Sequence, residues 1–269
     1  MKRSMMNVYL ASTLMVFLAA CGAKPQSSSA KIINGLTANS SEYPSVVHLY
    51  DIENNGSCTG TFINSTTVLT AAHCTEYNSA DSRGNVSGSI SIIQITDFTT
   101  KKYDVLATST SIVRNPLWDE EGGSVNKYDL ALITFPEGTA KALSTLASAQ
   151  PDVGDQVVLV GLGLDQNIDR DDTSSNGVKR IGTNEIEAVS DGFLAFENLD
   201  ETTNDKGKFS GPGPGDSGGP LFVDGHIAGI VSGAQADLFS NILSSYYIDI
   251  NSKASKKFLD KHLKNPDFF

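Results

Sequence analysis

Three short segments hold side chains that can act together as nucleophile, base and orienting acid. Ser217 lies in Gly215-Asp216-Ser217-Gly218-Gly219-Pro220, where glycine neighbours leave backbone N–H groups uncrowded beside the hydroxyl. A serine hydroxyl is a weak nucleophile at neutral pH. It needs a base within hydrogen-bond reach and a carboxylate that fixes the base's tautomer. His73, in Thr70-Ala71-Ala72-His73-Cys74, offers the base, and Asp129, in Tyr128-Asp129-Leu130-Ala131-Leu132, heads an apolar run that can bury a carboxylate. Of the four histidines, His48 and His226 sit in strand-like runs and His262 in a charged terminal segment, so only His73 has this setting.

The elements that must carry these groups are short strands. Apolar, β-branched runs occur at Ser45–Tyr50, Thr61–Ile63, Thr67–Thr70, Ser89–Ile95, Ser111–Val113, Leu130–Phe135 and Gln156–Val160. Asp191-Gly192 separates Glu185–Val189 from Phe193–Phe196, and Asp224-Gly225 separates Pro220–Val223 from His226–Val231; both carry the turn chemistry of tight hairpins. Helical spacing appears only over Ser252–Lys264, where Ala254, Phe258, Leu259 and Leu263 form one stripe. Many strands without intervening helices make the chain all-β, a sandwich or a barrel.

The order His73, Asp129, Ser217, with the motifs around each, resembles the trypsin and chymotrypsin family of serine endopeptidases from Ile32 to near the C-terminus. The resemblance implies two six-stranded antiparallel barrels, over residues 32–143 and 144–250, with a C-terminal helix and tail over 251–269 and a crossover near Pro136–Pro151. It implies that His73 is the general base, Asp129 the buried carboxylate, Ser217 the acylated nucleophile, and the N–H groups of Gly215 and Ser217 the oxyanion hole. It also implies a disulfide between Cys58 and Cys74 beside the histidine, and closing a loop of that size stabilises by about 3 kcal/mol in the chain-entropy model. No cofactor and no metal is implied. The expected partners are protein or peptide substrates.

The N-terminus reads as an address. Lys2 and Arg3 precede an apolar stretch, Val8–Ala20, that is short for a membrane span and ends in small residues. Leu18-Ala19-Ala20-Cys21 resembles the lipobox of bacterial lipoproteins, with Cys21 as the lipidated residue after a signal over 1–21. A polar tether and propeptide over 22–31 leads to Lys31-Ile32-Ile33-Asn34-Gly35, which resembles the activation site of family zymogens. The resemblance implies that cleavage after Lys31, expected from another protease, frees the Ile32 ammonium to pair with Asp216. Activity is then expected to fade as pH rises through the amine's raised pKa, and to fall at acid pH as His73 protonates. The same cut severs the enzyme from its lipid, so the chain is expected at the cell envelope, attached only through Cys21, and released on activation.

The net charge is −11, and because residues 1–31 carry four basic and no acidic side chains, the rest of the chain sets 16 basic against 31 acidic side chains and carries −15. Such an acidic body repels phosphate backbones and anionic lipid, which argues against nucleic acid and peripheral membrane binding. The acidic stretch Asp165–Asp172 lacks the spacing of an EF-hand loop and reads as solvated surface. At the substrate pocket the chain departs from its relatives: Gly211 stands where family members that cut after Lys or Arg carry an aspartate. Ser232-Gly233-Ala234 replaces Ser-Trp-Gly on the facing strand, and Ser245 matches the remaining lining position. A small, uncharged pocket is expected. The alternative is a catalytically silent homologue that binds a partner through the same cleft.

Overall fold

The first of two antiparallel sheets is built from the N-terminal half, as the computed structural model, which describes residues 32–39, 41–118, 125–164, 176–199, 207–236 and 242–263, makes visible. Its strands are β2 (Val46–Asp51), β3 (Gly56–Phe62), β4 (Thr67–Thr70), β5 (Ser91–Asp97), β6 (Lys102–Thr108), β7 (Ser111–Arg114) and β8 (Ala131–Thr134), in the order β6-β5-β2-β3-β4-β8-β7. The second comprises β1 (Leu36–Thr37), β9 (Gln156–Gly161), β10 (Arg180–Glu185), β11 (Ala188–Ser190), β12 (Phe193–Leu199), β13 (Pro220–Val223), β14 (His226–Ala236) and β15 (Ile242–Asp249), in the order β1-β10-β9-β13-β14-β15-β12-β11. Among the described residues the sheets carry seven and eight strands, and the short edge strands β1 and β11 both belong to the second.

Residues 32–37, expected with the first barrel, pair with the second. Leu36 and Thr37 lie opposite Ile181 and Arg180, and Ile33 bridges Gly211. Both Asp-Gly turns form as expected, with Asp191 and Gly192 at φ 48 and 88 and Asp224 and Gly225 at φ 50 and 81. Positive φ at both central residues gives the twist that joins antiparallel strands directly.

Apolar residues pack in three clusters, one within each barrel and one between them. The shared cluster joins Leu69, Leu130 and Leu132 of the first barrel to Val160, Phe222 and Ile230 of the second. Onto it folds α1 (Lys253–His262), through Phe258 and Leu259. Ser252 caps this helix by accepting from the Ser255 N–H at 3.1 Å, which satisfies one of the donors left open in its first turn. No helix among the described residues is long and apolar enough to cross a membrane. Lys31 and Cys21 lie outside the described residues.

Candidate active site

β4 runs directly into a 3-10 turn, His73–Thr75, whose entry is fixed by the fully buried Ala71 and Ala72. The turn meets Asp129 twice: the His73 N–H donates to Asp129 Oδ1 at 2.8 Å, and Nδ1 contacts Oδ2 at 2.7 Å. An ionised carboxylate only accepts, so Nδ1 carries the ring proton and Nε2 keeps its lone pair. Ser232 Oγ donates to the same Oδ2 at 2.7 Å, and Asp129 is almost wholly buried. Burial of His73 disfavours its cation, but the charge and hydrogen bond of Asp129, with Glu76, outweigh it and raise the imidazole pKa. Arg114 Nη1 secures the far end of the turn by donating to the Thr75 carbonyl at 3.1 Å.

Ser217 comes from the loop before β13, and Thr59 of β3 clamps it across the barrel junction. The Thr59 N–H donates to the Ser217 carbonyl at 2.8 Å, and its Oγ1 donates to the Gly215 carbonyl at 3.0 Å. With its carbonyl so held and φ at 93, Gly215 adopts a conformation that a side chain would strain. The N–H groups of Gly215 and Ser217 have no acceptor among the described residues and form an open pair of donors. A side chain at Gly218 would collide with Thr70 Oγ1 and the Thr59 carbonyl, so glycine there is what lets the barrels approach. Cys58 and Cys74 form a disulfide, which ties β3 to the histidine turn, and Cys74 Sγ lies 3.6 Å from the Ser217 carbonyl oxygen. Oxidised sulfurs offer no thiolate, so the grouping of Cys58, Cys74 and His73 is not a metal-ligand set.

Asp216 points away from the cleft and is buried. Its Oδ1 accepts from the Gly163 N–H at 2.7 Å and its Oδ2 from the Gly213 N–H at 2.8 Å. Desolvation pushes its carboxyl up to about 6, against the two amide bonds and the charge of Arg180, which pull it down. Ile32 is buried in the second barrel's cluster, and the next residues are tied down by the Gly211 N–H to Ile33 O bond at 3.2 Å and the Ser210 Oγ to Asn34 O bond at 3.2 Å.

Across residues 32–253 the sequence matches the family model Trypsin. The chain belongs to the trypsin family. A trypsin of Simulium vittatum is 28% identical over 205 residues, covering 71% of this chain and 76% of that one, and trypsin eta of Drosophila erecta is 25% identical over 256 residues, covering 85% and 89%. Among solved structures, neuropsin, a serine protease expressed in the limbic system of mouse brain, aligns with TM-score 0.62 at 18% identity, over 86% of this chain and 99% of that one. Human heparin binding protein aligns with TM-score 0.59 at 16% identity, over 87% and 97%. These two share the fold, a chymotrypsin-like pair of antiparallel barrels.

Of the residues expected to line the substrate pocket, only some reach the cavity beside Ser217. A cavity of about 380 Å³ opens beside Ser217, walled by Leu164, Pro212, Pro214, Val231, Gly233 and Ala234. Gly211 and Ser245 do not line it; they are buried behind its wall, where Ser245 Oγ donates to Asn198 Oδ1. Asn198 also fills the space that a side chain at Gly211 would need. Ser232 turns its hydroxyl to Asp129, at a register shift in β14 that leaves Gly233 and Ala234 on the cavity side. Sequence motifs gave no hint of Thr59, Leu164 or Asn198, because none stands in a distinctive local pattern; only their tertiary partners mark them.

A second cavity, about 340 Å³, is lined by residues that include His48, Tyr50, Ser57, Tyr103 and Asn176. His48 Nε2 bonds Ser57 Oγ at 2.8 Å, and that hydroxyl donates to Asn176 Oδ1 at 3.1 Å. Burial lowers the His48 pKa to about 4, which keeps it neutral and structural.

Proposed function

We propose that this trypsin-family chain is a serine endopeptidase that hydrolyses peptide bonds through an acyl-enzyme on Ser217. The observation that carries the proposal is the doubly hydrogen-bonded His73–Asp129 pair at the same barrel junction where Thr59 holds the Ser217 backbone. His73 Nε2 takes the Ser217 proton as Oγ attacks the scissile carbonyl, while Asp129 stabilises the imidazolium that forms. The N–H groups of Gly215 and Ser217 receive the oxyanion. Collapse breaks the C–N bond, with the His73 proton passing to the leaving amine, and water then hydrolyses the ester by the reverse proton path.

Substrate binds as a strand along Gly233 and Ala234, with the side chain before the scissile bond in the cavity beside Ser217. The described walls of that cavity carry no charge, which favours small or medium uncharged side chains. An enzyme of that preference is a poor match for its own Lys31, so another protease makes the activating cut. The chain is exported, tethered by lipid on Cys21 and released when Lys31–Ile32 is cleaved. Ile32 supports the cleavage step: it is a β-branched residue held at φ 46, a strained conformation, and cleavage before it removes the carbonyl carbon that defines the torsion.

The test is to cut the chain after Lys31 and profile it on a peptide library. Cleavage after small or medium uncharged residues, lost in Ser217→Ala, is expected. Equal turnover after arginine would refute the pocket assignment, and a folded, processed chain without any hydrolysis would favour the silent binding homologue.

A further inference from the structure

Arg180 is wholly buried at the start of β10, a strand whose inward positions are Arg180, Gly182 and Asn184 rather than an apolar row. A buried guanidinium is costly unless its charge and its donors are compensated. Arg180 Nη1 donates to the Gly163 carbonyl at 3.0 Å and to the Val178 carbonyl. The same Gly163 donates its N–H to Asp216 Oδ1 at 2.7 Å, so one residue links the guanidinium to the buried carboxylate. Its neighbour Leu164 donates to the Pro214 carbonyl at 2.6 Å. A side chain at Gly163 would run into the backbone of Pro214, Gly215 and Asp216, which shows how closely the two segments are laid together.

We propose that Arg180 is a positioning residue that holds the Asp216 turn, and with it the donors of Gly215 and Ser217, in working order while the Lys31–Ile32 bond is still intact. The proposal rests on the serine endopeptidase reading above. Arg180 is charged at every pH of interest, whereas the Ile32 amine exists only after cleavage and only as a cation below its own pKa. Arg180 therefore acts on the carboxylate through its charge and through Gly163 both before and after cleavage, and the Ile32 amine adds to it only afterwards. Among the described residues, Tyr247 of β15 also titrates near Asp216, and its hydroxyl, raised well above the ordinary value by burial and by the Asp216 charge, stays neutral. The alkaline limit expected from the Ile32 amine alone is thereby masked by Arg180.

The experiment compares the intact chain, secured by Lys31→Gln, with the chain cut after Lys31, using the rate of Ser217 labelling by a serine-directed phosphonate. The intact chain is expected to label within about 100-fold of the processed one. Arg180→Gln is expected to slow the intact chain by about tenfold more than the processed chain, on the scale of one buried charged hydrogen bond. Arg180→Lys restores part of the rate. Processed Arg180→Gln is also expected to gain an alkaline limb above about pH 8, as its remaining cation, the Ile32 amine, titrates away. Acetylating the Ile32 amine of the processed wild-type chain needs no Arg180 variant, and most of the labelling is expected to survive it.

An intact chain that does not label while the processed chain does would overturn the proposal, as would loss of labelling on acetylation. Equal slowing of both forms by Arg180→Gln, without a new alkaline limb, would reduce Arg180 to a structural residue and overturn it too. Failure of the processed wild-type chain to label would instead overturn the serine endopeptidase reading.

Discussion

The barrel junction and the pocket beside it are built by different means, although Ser217 belongs to both. At the junction, hydrogen bonds between side chain and backbone fix geometry: Asp129 takes two bonds from His73 and one from Ser232, and Thr59 holds Gly215 and Ser217. The pocket is shaped by bulk and by concealed polar groups, with Leu164 and two prolines as walls and the Asn198–Ser245 pair behind them. On the proposed reading, chemistry depends on a few directional contacts, each of which has one acceptable partner. On the same reading, substrate choice depends on how space is filled, which many residue types can accomplish.

That contrast is broken most severely at the junction. Asp129→Asn, which keeps the shape but favours the wrong imidazole tautomer, is expected to lower kcat by about 10⁴-fold while thermal unfolding changes far less. Gly211→Asp is the change that motif matching would suggest for conferring cleavage after Arg or Lys. Because Asn198 occupies the space it needs, it is expected to cost roughly 1–3 kcal/mol from overpacking alone and to bring no gain on arginyl substrates, as read by denaturant unfolding and substrate profiling. Thr59→Val strips the donor from the Gly215 carbonyl and the acceptor from the Leu162 N–H, and an expected cost of about 1–3 kcal/mol in unfolding should accompany slower acylation.

The smallest effect is a shift in pH profile. Asp129 raises the His73 pKa, and catalysis needs the neutral ring, so activity is lost as pH falls through the raised value. The stabilising share of the charged pair runs the other way: it is present below the ordinary imidazole value and fades as pH rises through the raised one. Asp129→Asn is expected to move the acid limb of its residual activity downward, measurable as kcat/KM against pH. An unmoved limb would mean that another group sets it.

How much of this was legible in the sequence follows the same division. Strands with short apolar, β-branched runs or with Asp-Gly turns announce themselves, as β4 and the β13–β14 hairpin do. β6 is a largely exposed edge strand ordered by its pairing with β5, and β10 buries an arginine, a glycine and an asparagine, so neither shows the expected pattern. His73, Asp129 and Ser217 stood out because each sits in a local motif. Thr59 reaches Gly215 across 156 positions, Asn198 reaches Ser245 across 47, and Arg180 acts on Asp216 through Gly163, and no local pattern encodes such partners. Ser245 and Gly211 were located by their motif neighbours, but whether a residue lines a cavity or lies behind it depends on Asn198, a residue outside those motifs.

The most direct measurement of the central proposal is covalent labelling of the folded chain, cut after Lys31, by a serine-directed phosphonate, with the modified residue mapped by mass spectrometry. A single adduct on Ser217, absent in both Ser217→Ala and His73→Ala, is the expected result. A folded, processed chain that stays unlabelled, or that carries its adduct on another residue, would contradict it.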